Sequence, residues 1–315
     1  MHMRTWILGA FITSLAFGAG CGSTATAGLC EDAFPEAKEG DLAAEETAAK
    51  AAWEGRKDVA QLREAIARWR GAIAIAPKKP ENYVSLGRAL YFLGDGYLRL
   101  EKDAASETDE DLADAKETEM IATLEESFQI SEKAVRLQND EFRTAACAKE
   151  PLEDTVGKLK KTDVEAIYWY ASALGKYGLA TSIVTVLNNK DKIYLIMKRL
   201  EKIAPDFFYA APYRYLASYY TKVPFPSGDH EKSRENFEKS IQMSPNYLAT
   251  HVLFAELLAT KLKDKAEGKK IFDAQLKYVL DTPANVIPEV EAENLLEKLK
   301  AKALQEKFDE SFWED

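Results

Sequence analysis

From about residue 42 onward, apolar residues recur at intervals of three and four, and no stretch alternates with period two. That is the pattern of amphipathic helices rather than strands. Ala, Glu, Lys and Leu dominate this part of the chain, and all four are strong helix formers. The breaks cluster at Pro77 and Pro80, Pro151, Pro205, Pro224 and Pro226, Pro245, Pro283 and Pro288. Proline lacks the N–H that an interior helical residue donates, so helices stop before it. The chain reads as all-α, in pieces that fit single helices or helix pairs.

Aligning the prolines brings out a repeat. Ala65, Trp69, Ala72 and Pro77 share the spacing 4, 3, 5 with Ile193, Met197, Leu200 and Pro205, and with Ser233, Phe237, Ser240 and Pro245. This is the second-helix signature of a tetratricopeptide repeat. Small or medium residues let two helices approach, a large one fills the groove, and Pro ends the helix. First-helix signatures follow the prolines: Tyr83, Leu86, Gly87 and Leu90 fit well, while His251, Phe254, Ala255 and Leu258 fit loosely, as do Tyr168, Ala171 and Ser172. Leu124–Leu137 reads as the partner of the helix opened at Tyr83, and Ile271–Leu280 closes the last pair. Pro288–Phe308 then supplies a polar capping helix, which solenoids require. The expected fold is a tetratricopeptide-repeat-like α-solenoid of helix hairpins with a C-terminal capping helix. An irregular helical bundle is the alternative.

The first 41 residues follow different rules. A basic start is followed by the apolar run Trp6–Phe17 and then Gly18-Ala19-Gly20-Cys21, the layout of a secretory signal. The run is too short to span a bilayer. Cys21 after small residues resembles a bacterial lipoprotein processing site, with Cys21 lipidated; an ordinary secreted protein with Cys21 free is the other reading. The division is a signal peptide at 1–20, a flexible tether at 21–41 and a helical repeat domain at 42–315. Cys30 and Cys147 remain in an oxidising compartment, and two readings are open for them: a disulfide, or two buried free thiols.

Composition narrows the chemistry. The 315 residues carry 42 Lys and Arg against 52 Asp and Glu, a net charge of −10, which argues against a nucleic-acid partner. His2, His230 and His251 are the only histidines. With three scattered cysteines they make a metal site or Cys–His catalysis a poor fit, and no cofactor is called for. No Gly-x-Ser-x-Gly, His-Glu-x-x-His or Cys-x-x-Cys occurs, and Gly94-Asp95-Gly96 reads as a lone turn at a helix end. The expectation is a protein that is not an enzyme. Residues 101–120 hold nine acidic and two basic residues, a solvated face or loop.

Aromatic residues stand above background. Between Phe207 and Phe225 eight of 19 residues are aromatic, where the 10% average of the chain would give two. On a continuous helix Tyr209, Tyr213, Leu216 and Tyr220 would form one stripe, and Phe208, Tyr215 and Tyr219 a second. One stripe packs the helix; the other must meet a further helix, a partner or a cavity. Ile167–Tyr177 behaves similarly, with Trp169 and Lys176 off its main face. Candidate ligand or pore-lining residues are therefore Tyr168, Trp169, Lys176, Phe208, Tyr209, Tyr213, Tyr215, Tyr219 and Tyr220. A thick core is the competing explanation.

Ala166-Ile-Tyr-Trp-Tyr-Ala-Ser-Ala-Leu-Gly-Lys176 resembles the T component of tripartite ATP-independent periplasmic (TRAP) transporters, a tetratricopeptide-repeat lipoprotein. The loop and helix Ser227–Ser240 resemble the same family, as do Pro288 through Asn294, Ala301, Ala303 and Phe308. The resemblance implies a periplasmic, membrane-tethered protein, a homotrimer with an apolar pore between repeats. Such a protein would dock the transporter's substrate-binding protein and hand over a small organic ligand, hydrophobic ones among the candidates. Gly22 after Cys21 favours the outer membrane as the anchoring site. The alternative function is a structural envelope scaffold lipoprotein that mediates protein–protein assembly.

Overall fold

The computed structural model describes residue 30 and residues 34–314. The expected signal peptide 1–20, Cys21 and most of the tether lie outside the described residues. The rest of the tether runs without helix to Asp41, and Lys38 N–H donates to Ala74 O at 2.9 Å. The described residues form helices and no strand.

Helix α1 (Leu42–Glu54) opens on Asp41, whose carboxylate accepts from Ala44 N–H at 3.0 Å. Helix α2 (Val59–Ile75) opens on Asp58 in the same way, each cap satisfying a backbone donor the helix leaves unpaired. Helix α3 (Pro80–Tyr91) carries Pro80 in its first turn, where the missing N–H costs nothing. It passes through a wider π-helical turn, Phe92–Leu98, into α4 (Arg99–Ala105). Gly94, Asp95 and Gly96 thus sit inside a continuous helix rather than in a turn at its end. The glycines are there for space: a Cβ on Gly94 would stand 3.0 Å from the Leu124 side chain, and one on Gly96 2.9 Å from Leu296.

Helix α5 (Glu110–Gln138) packs on α3 and begins within the acidic stretch 101–120. The helices approach closely at Gly87, where Ser127 Oγ donates to Gly87 O at 2.8 Å and a Cβ would stand 2.2 Å from Ser131 Oγ. Short helices α6 (Asp140–Cys147) and α7 (Leu152–Gly157) follow. Cys147 at the end of α6 is disulfide-bonded to Cys30. Helix α8 (Val164–Thr181) packs between α5 and α9 (Ile183–Ile203), and α10 (Phe207–Lys222) between α9 and α11 (His230–Met243). Ala65, Trp69 and Ala72, Ile193, Met197 and Leu200, and Ser233, Phe237 and Ser240 are all buried. The two serines bring hydroxyls into the core and satisfy them on backbone, Ser233 Oγ on Ala217 O at 2.9 Å and Ser240 Oγ on Ala210 O at 3.3 Å.

Helix α12 (Leu248–Leu253) runs into a second π-helical turn, Phe254–Leu258, before α13 (Lys265–Asp281), α14 (Glu291–Lys307) and the single turn α15 (Glu310–Trp313). The expected polar cap, α14, does more than cover the last helix pair. Its polar residues Asn294, Glu297 and Lys300 are buried, and Asn294 accepts from Leu248 N–H and donates to Ala284 O. Glu293 pairs with Arg56 at 2.9 Å, so α14 also reaches back to the corner between α1 and α2.

Candidate functional site

A cavity of about 510 Å³ lies among the first π turn, α5, α8, α9, α10, α12 and α14. Its lining is rich in aromatic residues: Tyr91, Phe92, Tyr168, Trp169, Phe208, Tyr215, Tyr219 and Tyr247. Trp169 meets Tyr168, Phe208 and Tyr91 with ring centroids 4.8, 5.1 and 5.4 Å apart, within the range of favourable aromatic contacts. Burial pushes the Tyr91, Tyr215 and Tyr247 hydroxyls well above the ordinary phenol range, so all three are neutral donors at any physiological pH.

The lining is also charged. The two π turns each present one acid to it: Asp95 from Phe92–Leu98 and Glu256 from Phe254–Leu258. A π turn widens the helix by one residue and re-aims its side chains, a device that recurs at functional sites. Lys176 Nζ pairs with Asp95 at 2.7 Å, Arg99 pairs with Glu256, and Lys300 with Glu297 at 2.8 Å. Burial disfavours the Asp95 charge, but Lys176, Lys300 and Arg99 outweigh it and hold the carboxyl well below the usual carboxylate range. Burial likewise opposes the Glu256 charge and is overcome by Arg99 and Lys176.

Arg214, 5% exposed, also lines the cavity. Pro212 explains its position. An α-helix through this point would bond the N–H of residue 212 to Phe208 O, and Pro has none to give. The chain instead takes a left-handed turn at Phe208, Tyr209 and Ala210, with φ of 41°, 59° and 58°. Arg214 donates from Nη2 to Phe208 O at 3.2 Å and from Nη1 to Tyr209 O at 2.9 Å, while its guanidinium lies 4.4 Å from the Tyr247 ring centroid.

That turn corrects the expected striping, because Phe208 and Tyr209 do not continue the helix carrying Tyr213, Tyr215, Tyr219 and Tyr220. Of the nine candidate residues, Tyr168, Trp169, Lys176, Phe208, Tyr215 and Tyr219 line the cavity. Tyr209 lies outside its wall, stacked on Tyr247 at 4.8 Å, with its hydroxyl donating to Glu289. Tyr220 bonds Tyr194 at 3.4 Å, and Tyr213 is half-buried away from the cavity. Sequence reasoning missed Asp95, Arg99, Arg214, Tyr247, Glu256 and Lys300. Two signals were available: Pro212 within the aromatic segment, and single acids set in apolar runs, Leu93-Gly-Asp-Gly-Tyr-Leu98 and Phe254-Ala-Glu-Leu-Leu258.

Neither remaining histidine joins the site. His230 begins α11, whose cap is Asp229. His251 is buried, its ring nitrogens engaged with Gln275 at 2.6 Å and Pro245 O at 2.8 Å. Among the described residues no group of three or more His, Cys, Asp and Glu side chains is arranged to hold a metal ion.

The fold and site define an all-helical protein built around an amphipathic cavity. The chain belongs to the TRAP transporter T-component family, whose model matches residues 98–312 and so spans every cavity-lining element from Leu98 onward. Membership gives it a role in TRAP transport, an association with that transporter system and an envelope or periplasmic location. The family is a transporter component and not a known enzyme family. No curated protein matches the chain in sequence. No helix among the described residues is long and apolar enough to cross a membrane.

Proposed function

We propose that this protein is a periplasmic component of a TRAP transporter, held to the envelope by a lipid on Cys21. In this reading its helices form a tetratricopeptide-type solenoid that docks the transporter's substrate-binding protein. The carrying observation is the cavity of about 510 Å³, lined by eight aromatic side chains and by paired charges, in a chain of this family. Its size falls in the range of small-molecule sites, and its aromatic wall suits a pore that receives and passes a small organic ligand. Burial of the nine repeat-signature residues supports the solenoid, and the Cys30–Cys147 disulfide suits an oxidising compartment. Leu179, Ile183, Val184 and Leu187 are exposed where α8 turns into α9, and Leu179 also lines the cavity. An apolar rim beside the mouth suits a docked partner or a neighbouring copy in a homotrimer.

The test is purification of the tagged, full-length chain from its native envelope. Recovery of a periplasmic substrate-binding protein, with light scattering giving three copies of the chain, is the expected result. Recovery of outer-membrane assembly proteins without a substrate-binding protein would replace this reading with the envelope scaffold.

A further inference from the structure

Away from the cavity, a second group of charges is buried beneath the Cys30–Cys147 disulfide. Arg136, 1% exposed, donates from Nη2 to Glu132 at 2.7 Å. Its Nη1 faces both sulfurs, 3.3 Å from Cys30 Sγ and 3.6 Å from Cys147 Sγ, and its Nε has no acceptor. Half-buried Lys192 reaches the Tyr170 hydroxyl at 3.4 Å, and its charge acts on Glu132 alongside that of Arg136. Among the described residues this group sets two cations against one carboxylate, and burial opposes even that carboxylate's charge, pushing Glu132 up. A buried guanidinium short of counter-charge is costly. A disulfide sulfur is a weak, neutral acceptor, whereas a thiolate carries a full negative charge. Arg136 is therefore better satisfied when the bond beside it is open.

Access and anchoring point the same way. Cys30 is exposed and Cys147 half-buried, so an incoming thiolate meets Cys30 Sγ first and Cys147 becomes the leaving group, beside Arg136. Helix α6 has other holds than the bond. Phe142 and Ala145 are buried, and Asn139 caps the helix while donating to Lys158 O and Asp163. On the other side, the N-terminal segment meets the body again at Lys38, through its N–H to Ala74 O.

We propose that Cys30–Cys147 is a thiol–disulfide exchange site, opened by a protein dithiol, with Arg136 holding Cys147 as a thiolate, and that opening frees Cys30 from α6 while the helical domain stays folded. One thiolate of the dithiol attacks Cys30 Sγ; the S–S bond breaks and its electron pair leaves on Cys147. The second thiolate then attacks the dithiol's own sulfur in the mixed disulfide and releases Cys30. The dithiol is oxidised by two electrons to a disulfide, and the protein disulfide is reduced. Of the dithiol's two protons, one ends on Cys30 and the other goes to solvent, because Cys147 stays ionised on Arg136. Stabilising the reduced form and the leaving thiolate makes a disulfide exchangeable. What this does for an anchored chain rests on Cys21 carrying the lipid. With the bond closed, nine residues of chain separate Cys21 from the body, a reach of about 30 Å; with it open, 17 residues run to Lys38, about 60 Å. Reduction would thus double the distance at which the body meets a partner.

The test uses the full-length chain and dithiothreitol as the dithiol. In C30S, thiolate absorbance at 240 nm, with C30S/C147S as the blank, should show Cys147 about half or more ionised at pH 7. An ordinary thiol is ionised to only a few per cent there, so the expected rise is about tenfold or more. E132L/R136M, which removes the charge pair together, should return Cys147 to the ordinary level when added to C30S. The same absorbance in reduced wild type decides the question even if C30S does not fold. Without denaturant, dithiothreitol should open the wild-type bond and speed hydrogen exchange over residues 34–41, leaving α3, α5 and α8 protected. A Cys147 that is mostly protonated at pH 7, a bond that opens only in urea, or exchange that accelerates throughout the domain each overturns the proposal. The mass of the purified chain shows separately whether Cys21 is lipidated; a bare Cys21 would remove the anchored reading and leave the exchange site standing.

Discussion

The Tyr215 hydroxyl occupies the space that a side chain on Gly175 would need: a Cβ there would stand 1.9 Å from Tyr215 Oη. Tyr215 donates to Ala171 O at 3.3 Å across the α8–α10 contact and lines the cavity. In G175A the ring must move. Overpacking of this kind costs about 1–3 kcal/mol, against the roughly 1 kcal/mol that Gly→Ala returns inside a helix. The Y215F change removes the oxygen and leaves Cζ at 3.2 Å from the added methyl. Urea unfolding should therefore show G175A as less harmful in the Y215F background than in the wild type. An equal effect in both backgrounds would mean that Tyr215 is not what excludes a side chain at position 175.

Arg56 and Glu293 join the N-terminal helix pair to α14 at 2.9 Å, with side chains 6% and 11% exposed. Arg56 also lies 4.4 Å from the Trp53 ring centroid and donates to Glu289 O. Replacing Arg56 by Ala leaves Glu293 buried with only Arg88 at 3.7 Å. Breaking a buried pair from one side costs about 3–5 kcal/mol, while replacing both partners by apolar residues of similar volume is close to neutral. R56A should therefore be much less stable than R56M/E293L. Hydrogen exchange in R56A should accelerate over residues 289–300. If the double variant is as unstable as R56A, packing rather than the stranded carboxylate is responsible.

The helices and their prolines are local features, and local features are what periodicity reports. The spacing around Trp69, Met197 and Phe237 identified buried positions because each depends on residues within two turns of the same helix. The cavity was half legible. Tyr168, Trp169 and Phe208 stand out as aromatic excess, but Asp95 and Glu256 reach the site through π turns that no propensity marks. Arg214 reads as an ordinary surface cation until Pro212 is seen to break the helix before it. Glu297 and Lys300 are typical of an exposed helix, and they are buried because α14 packs on α12, α13 and the first π turn.

The Cys30–Cys147 bond joins residues 117 positions apart. In the chain-entropy account a loop of this length stabilises the folded state by about 4–5 kcal/mol through the unfolded chain. Arg136 lies 3.3 Å from Cys30 Sγ and 3.6 Å from Cys147 Sγ and also pairs with Glu132, so the bond seals a buried charge as well. Dithiothreitol should lower the urea midpoint of the wild type. A C30S/C147S variant should start at that lower midpoint and not respond to reductant. A wild-type midpoint indifferent to reductant would show that the bond does not contribute.

Asp95 predicts the acid limb of stability. Lys176, Lys300 and Arg99 overcome its burial and lower its folded-state pKa, so the folded protein binds the proton more weakly than the unfolded chain does. Its contribution is complete above the unfolded value, about pH 4 for an Asp side chain. It erodes as the pH falls below that toward the depressed folded value, because the unfolded chain takes up the proton first. Glu256, also lowered, adds in the same direction. D95N removes this proton linkage and leaves Lys176 without its 2.7 Å partner. The variant should be least stable relative to wild type near neutrality, and the gap should narrow as the pH is taken below about 4. Urea unfolding of both proteins at neutral and acid pH measures it, and a constant offset would show that the Asp95 charge is not what the surrounding lysines and arginine stabilise.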